Sequence, residues 1–320
     1  MNYSCNDNSR RTFLKKTLLT GALLPLVNPN LFSMNTMPSP DRLKVHIFSK
    51  HLQFLNYTDL ANAAAEMGFD GVDLSLRPNG HVLPVRVEED LPKVTEAFHK
   101  AGFPPLLMTT AVEDANSPLD KKVLTTAAKL GFKYYRMNWY TYPEGKTIPE
   151  AIEIFRPKMK GLGELNRKLG LVGAYQNHAG LGVGSNIWEI WEVLRDADKE
   201  HMGCQYDVRH AMVEGFSSWQ NGLKLIQPNI KLFTIKDFKF GEKNGAIEVV
   251  DVPIGEGIID LKSYFRLLKL YKINVPFTLH IEYALGGAEH GDRTITMDKK
   301  DIFRLMKADL QKVQQLWQEA

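Results

Sequence analysis

From about residue 43 onward, short apolar and β-branched runs alternate with longer stretches whose apolar positions recur at helical spacing. The runs begin near Leu43 (LKVHIF), Gly71 (GVDLSL), Pro105 (PLLMTT), Lys133 (KYYRMNW), Leu171 (LVGAYQ), Met202 (MGCQYD), Ile230 (IKLFTIK) and Pro276 (PFTLHIE), and they read as strands. Helical spacing fills the intervals at 58–67, 88–100, 118–130, 149–169, 186–199, 217–226 and 261–270, and returns at 299–317 after the last run. Glycine stands where several helices hand over to the next strand, in AEMGFDGVDL, HKAGFPPL, KLGFKYY and RKLGLVG, which predicts left-handed caps and short connections. Eight such units predict an α/β fold, a single (β/α)8 TIM barrel, for which about 250 residues is the usual length. An open doubly wound sheet is the competing architecture, but no glycine-rich dinucleotide fingerprint follows the first run. The longest connection, Phe240 to Val252, reads as a surface excursion serving as a lid or an oligomer contact.

Side chains alternate along a strand, so the hydrophobic positions that face the helices determine which residues face the barrel interior. Leu279 and Ile281 take the helix side, which turns His280 and Glu282 inward. The same parity turns in Thr234 and Lys236, Gln205 and Asp207, Gln176 and His178, Arg136 and Asn138, then Asp73, Ser75 and Arg77, and finally His46 and Phe48 with Lys50 beyond. These residues fall toward the C-terminal strand ends, where barrels of this class keep their chemistry. Each alone reads equally well as a hydrogen-bonded structural group. Together they point to a polar-ligand site, because every buried polar group needs a partner and an apolar top layer would be simpler.

The first forty residues carry a different pattern. Ser9-Arg10-Arg11-Thr12-Phe13-Leu14-Lys15-Lys16 precedes an uncharged stretch from Thr17 to Val27, too short to span a bilayer and followed by a polar, Pro-containing exit. SRRxFLK resembles a twin-arginine export signal, so residues 1–40 are expected to be a signal peptide with linker, 41–320 the barrel domain, and the location periplasmic. Of the two cysteines, Cys5 would leave with the signal and Cys204 would remain, which excludes an intramolecular disulfide in the mature chain. A net charge of +3 from 40 basic and 37 acidic residues, without a basic stripe, gives no basis for a nucleic-acid partner. No membrane partner is expected once the signal is cut, and a homo-oligomer stays open.

At the strand ends the chain resembles the xylose-isomerase-like barrel superfamily, often labelled sugar phosphate isomerase/epimerase. QNH (176–178), YDVRH (206–210), IKD (235–237), PIGEGIID (253–260) and HIEY (280–283) carry the likeness. The resemblance implies a divalent cation, Mn²⁺, Mg²⁺ or Zn²⁺, held by four side chains that fall here on Gln176, Asp207, Thr234 and Glu282. The family's first Glu is therefore replaced by Gln176 and its His by Thr234, while the substrate-binding His is kept as His210. Gln176, Asp207 and Glu282 remain the metal-ligand candidates, although threonine is a poor ligand for Mn²⁺ or Zn²⁺.

Isomerisation or epimerisation requires a base that removes a proton next to a carbonyl and a positive group facing the enediolate. Lys236 is expected to supply that charge if no cation does, assisted by Arg136 or Arg77, with Glu282 as base and His210 or His178 as acid. His46, Asp73, Arg77, Arg136, Asn138, Gln176 and Trp139 are the expected substrate-binding residues. PIGEGIID reads as a turn and helix start with Asp260 as N-cap. The substrate class this implies is a small carbohydrate, a free sugar, keto-sugar or glycoside. A lyase or hydratase sharing the enediolate, and a catalytically inactive sugar-binding barrel using aromatic faces such as Trp139, Tyr140, Tyr142, Tyr206, Trp219 and Tyr283, are the alternatives.

Overall fold

The computed structural model describes residues 42–320; the expected signal segment lies outside the described residues. Seven parallel strands come first: β1 (Val45–Phe48), β2 (Gly71–Leu76), β3 (Leu107–Thr110), β4 (Tyr134–Arg136), β5 (Val172–Gln176), β6 (Met202–Asp207) and β7 (Ile230–Ile235). An antiparallel pair follows, β8 (Asp237–Lys243) and β9 (Ala246–Val252), and then β10 (Phe277–Leu279). Each of β1 to β7 pairs with its sequence neighbour. The sheet closes where β10 enters between β7 and β1, with Phe277 opposite both Phe233 and Val45. The fold is thus the eight-stranded TIM barrel that the alternating pattern predicts.

Helices α1 (Tyr57–Met67), α2 (Val87–Lys100), α3 (Pro118–Lys129), α4 (Ile148–Leu169), α5 (Ile187–Val193), α6 (Val208–Gly215), α7 (Trp219–Ile226), α8 (Leu261–Leu270) and α9 (Lys299–Gln318) surround it. None of them is long and apolar enough to cross a membrane among the described residues. Side-chain caps begin several: Asn56 accepts from the Asp59 amide, Thr147 and Glu150 form a capping box, and Asp260 caps α8 as expected. Gly68 and Gly170 close α1 and α4 at φ of 94° and 70°, where a side chain would clash with its own backbone.

The main core lies between strands and helices, with Ile47, Leu74, Tyr135, Phe233 and Leu279 fully buried. Removing each such side chain from water contributes about 1.5–3 kcal/mol. Inside the barrel the apolar layer is thin: Leu107, Ala174 and Leu232 form a separate small cluster. Two residues further along the same strands stand Thr109, Gln176 and Thr234, and from there the interior is polar. That change of character within one barrel turns its C-terminal end into a site.

The structure departs from the sequence reading in three places. The Phe240–Val252 excursion is most of a regular β-hairpin running from Asp237 to Val252, turned by Asn244 and Gly245 at φ of 53° and 78°. Asn-Gly between alternating residues is a hairpin signal that the sequence reading passed over. A short helix, α6, follows β6 directly, started by Asp207, whose side chain accepts from the His210 amide. Finally, β4 and β10 stop after three residues, so Asn138 and Glu282 lie in loops beyond the ladder.

Candidate active site

At the C-terminal mouth a cavity of about 260 Å³ is lined by Phe48, Lys50, Arg77, Arg136, Trp139, Gln176, His178, Arg209, His210, Lys236, Asp251, His280 and Glu282. Lys236, just past β7, is the hub. Its ammonium lies 3.1 Å from Asp207 Oδ2, 2.9 Å from His210 Nε2 and 4.0 Å from Glu282 Oε1, and only 5% of the residue is exposed. Asp207 is fully buried beneath the cavity floor and also accepts from Gln176 Nε2 at 2.9 Å. Glu282 is anchored from the other side by Lys50 at 2.7 Å.

Gln176 explains itself in this setting. Its amide oxygen accepts from Arg136 Nη1 at 2.9 Å while its nitrogen donates to Asp207. A glutamate in its place would set two carboxylates face to face, a like-charge contact that needs a cation between them. The neutral amide joins an arginine to an aspartate without that charge.

The charge states follow from burial and neighbours. Burial alone would raise the Glu282 carboxyl, but Lys236 and Lys50 outweigh it and hold it at about 2. Burial first, then Lys236, pushes the His178 and His210 imidazoles down, so both are neutral near pH 7. His210 has both ring nitrogens engaged, Nδ1 by Arg209 at 3.1 Å and Nε2 by Lys236. His178 packs against His210 with ring centroids 4.0 Å apart and planes tilted by 38°, and binds the Ala179 carbonyl through Nδ1 at 3.0 Å. A ring that donates from Nδ1 carries its lone pair on Nε2, so the neutral His178 can accept a proton there.

Most residues expected from sequence meet here: Glu282, Lys236, His210, His178, Arg77, Arg136, Gln176 and Trp139 line the cavity, with Asp207 directly below. Three expected substrate contacts lie elsewhere. His46 sits deeper, bonded through Nδ1 to the Phe277 carbonyl, and burial lowers its pKa to about 4. Asp73 is also deeper and is held by the Thr109 hydroxyl at 3.0 Å. Asn138 turns away to Glu113 at 2.5 Å because β4 ends before it. Of the aromatic residues considered for stacking on sugar, only Trp139 reaches the cavity; Tyr140 and Tyr206 are core, and Tyr142 bonds Glu189.

Parity turned Phe48, Lys50 and His280 inward without giving them a role, and the structure adds them to the wall. Arg209, read only within YDVRH, was given no role by the sequence, and Asp251 was not singled out at all. Asp251, on β9, holds the Arg209 guanidinium through two parallel bonds of 2.9 Å and so ties the hairpin to the site. Only the hairpin signal at Asn244-Gly245 could have brought Asp251 back to the mouth.

A divalent cation does not fit this donor set. The Gln176 oxygen is turned to Arg136, the Thr234 hydroxyl accepts from Gln205 Nε2 at 2.7 Å, and the ammonium of Lys236 stands between Asp207 and Glu282. Hard or borderline divalent ions need converging anionic or imidazole donors, and those groups here converge on a lysine.

A barrel whose polar strand ends enclose one small cavity defines a class, and the chain falls within it by sequence as well. Residues 61–296 match the xylose isomerase-like TIM barrel family, to which the chain belongs. No curated protein matches it by sequence. Among solved structures it is similar to 3-keto-D-glucoside 4-epimerase from E. coli, at 12% identity over 86% of this chain and 100% of that one, with a TM-score of 0.63. D-allulose 3-epimerase from Methylomonas sp. is similar at 15% identity over 88% and 100%, with a TM-score of 0.65. The probable 3-DHS dehydratase AsbF from Bacillus anthracis follows at 14% identity over 84% and 98%, with a TM-score of 0.58.

Proposed function

We propose that this barrel is a carbohydrate isomerase or epimerase that abstracts a proton next to a sugar carbonyl, using a lysine where a cation would otherwise stand. The observation that carries the reading is Lys236, a buried ammonium held between two carboxylates and a histidine at the cavity floor. In this reading the carbonyl oxygen faces Lys236 and the adjacent C–H faces His178. The proton passes to His178 Nε2 and the electron pair moves onto the oxygen, giving an enediolate beside the ammonium. Return of the proton to the neighbouring carbon, as that carbon's hydroxyl proton passes to the original carbonyl oxygen, completes isomerisation; protonation of the same carbon on its opposite face by water, with His178 releasing its proton to solvent, completes epimerisation.

The base differs from the one expected from sequence. Glu282, held at about 2 by Lys236 and Lys50, is too weakly basic to serve near neutral pH, whereas the neutral imidazole is suited to it. Glu282 instead orients Lys50 and Lys236 and offers acceptors to sugar hydroxyls. The epimerases among the similar structures support a sugar substrate, and the dehydratase supports a second reading in which the same enediolate expels a β-hydroxyl.

Incubating the purified protein with a panel of keto-sugars in D₂O tests this. The expected result is exchange of one carbon-bound hydrogen next to the carbonyl, lost in Lys236→Met and His178→Gln; loss of water from the product would select the lyase. No exchange on any keto-sugar would return the protein to the binding-barrel alternative. The SRRxFLK stretch carries a further proposal, export through the twin-arginine route, which cell fractionation of an Arg10→Lys, Arg11→Lys double variant checks.

A further inference from the structure

We infer that the sugar taken into this cavity bears a carboxylate, bound between Arg77 and Arg136; the inference rests on the carbohydrate reading above. Five cationic side chains, Lys50, Arg77, Arg136, Arg209 and Lys236, meet four carboxylates, Asp73, Asp207, Asp251 and Glu282, at and just below the mouth. Three cations are matched: Lys50 by Glu282, Lys236 by Asp207 and Arg209 by Asp251. The two arginines are not.

The Arg77 side chain has no hydrogen-bond or ion-pair partner among the described residues, and its guanidinium lies 5.3 Å from the centre of the Phe48 ring. Arg136 is 2% exposed, rests 4.1 Å from the Trp139 ring, gives one N–H to Gln176 and leaves its Nε without a partner. Asp73, the nearest remaining carboxylate, is taken up by Thr109 and forms no ion pair with either arginine. Burial first, then the nearby Arg77 guanidinium, lowers the tendency of Arg136 to hold its proton. The buried Arg136 Nε–H is costly to leave without an acceptor, and the partly exposed Arg77 fork reaches the same cavity with its donors free, so a ligand that brings acceptors completes the site.

The ligand chemistry follows from shape and charge. A planar carboxylate accepts two parallel bonds from a guanidinium fork, and aromatic faces such as Phe48 and Trp139 hold such forks in place. The excess over the four carboxylates is a single positive charge, which one carboxylate neutralises, whereas a phosphate monoester at about −1.5 to −2 would leave the site negative. The volume, about 260 Å³, suits one sugar unit.

The test compares D-glucuronate, D-glucose and D-glucose 6-phosphate by calorimetric titration of the intact protein. Glucuronate should bind roughly tenfold or more tightly than glucose and more tightly than the phosphate, with an advantage that shrinks as salt rises. Arg77→Gln should abolish the advantage, bringing glucuronate to within about twofold of glucose in the same variant, and Arg77→Lys should restore only part of it. Because Arg136 is buried and Arg136→Gln endangers folding, Arg77 carries the test. Equal affinity for glucuronate and glucose, tighter binding of the phosphate, or an unchanged preference in Arg77→Gln overturns the inference. Turnover of neutral keto-sugars with no carboxylate preference would overturn it while sparing the isomerase reading. Uronate binding that depends on Arg77, without any proton exchange, would do the reverse.

Discussion

Replacing Lys236 with methionine separates the lysine-centred site from a metal-centred one. Methionine keeps the chain length and removes the charge, leaving Asp207 fully buried with the Gln176 amide and the His210 backbone N–H as hydrogen-bond donors and the neutral His210 ring 3.6 Å away. At 3.1 Å the attraction between ammonium and carboxylate is about 5 kcal/mol for an effective dielectric of about 20. The remaining hydrogen bonds offset part of this, so the expected loss is about 3–5 kcal/mol, the usual cost of stranding one member of a buried pair. Asp207→Asn in the same chain should recover most of that loss, because no charge is then left unpaired. Loss of the group facing the enediolate should also lower kcat about 10²–10³-fold. Urea unfolding of the wild type, both single variants and the double variant measures the coupling, and the D₂O exchange assay measures the rate. A cost below about 1 kcal/mol with no coupling to Asp207 would refute the pairing. Activity that survives in Lys236→Met and rises with added Mn²⁺ would restore the cation.

Dialysis against a strong chelator should leave both exchange activity and melting temperature of the wild type unchanged, and recovery of lost activity on adding Mn²⁺ or Zn²⁺ would contradict the fit described for the donor set. Gly71→Ala should destabilise by about 1–3 kcal/mol, because the new Cβ would lie 2.7 Å from Cδ2 of the buried His46 ring. Gly161→Ala, whose Cβ meets nothing closer than 3.6 Å inside α4, should instead gain about 0.5–1 kcal/mol; calorimetric melting compares the two. Burial raises Asp309 to about 6, so its protonation stabilises the fold fully below the unfolded pKa of 3.8, and this is lost as pH rises through about 6. Asp309→Asn should therefore remove a slope totalling about 3 kcal/mol between those limits in urea midpoints followed against pH, and an unchanged slope would exclude Asp309 as its source. His46 works in the opposite sense: burial lowers it to about 4, so stability is complete above pH 6.5 and falls as pH drops toward 4.

Much of the site was legible in the sequence because inward parity is a local property. Leu279 and Ile281 on the helix side force His280 and Glu282 inward whatever the rest of the chain does, and Phe233 and Ile235 do the same for Thr234 and Lys236. Depth along the barrel axis is not local. His46 shares the parity of Phe48 but lies one inward position lower, and Asp73 that of Arg77 but two lower, and both are buried outside the cavity lining. Asn138 had the right parity and lost it when β4 ended at Arg136.

The alternation of apolar runs and helical stretches, with glycine at the handovers, was enough by itself to specify a closed barrel and a polar C-terminal mouth, since those follow from backbone periodicity and burial. Which polar groups are partners was decided only by closure. Gln176 meets Arg136 and Asp207 from 40 and 31 residues away, Lys50 meets Glu282 from 232, and Arg209 meets Asp251 only because the hairpin folds back over the mouth. The result is a lysine among acceptors and two arginines without a carboxylate partner, and both come from charge balance in a shared low-dielectric space, a property of the assembled set rather than of any segment.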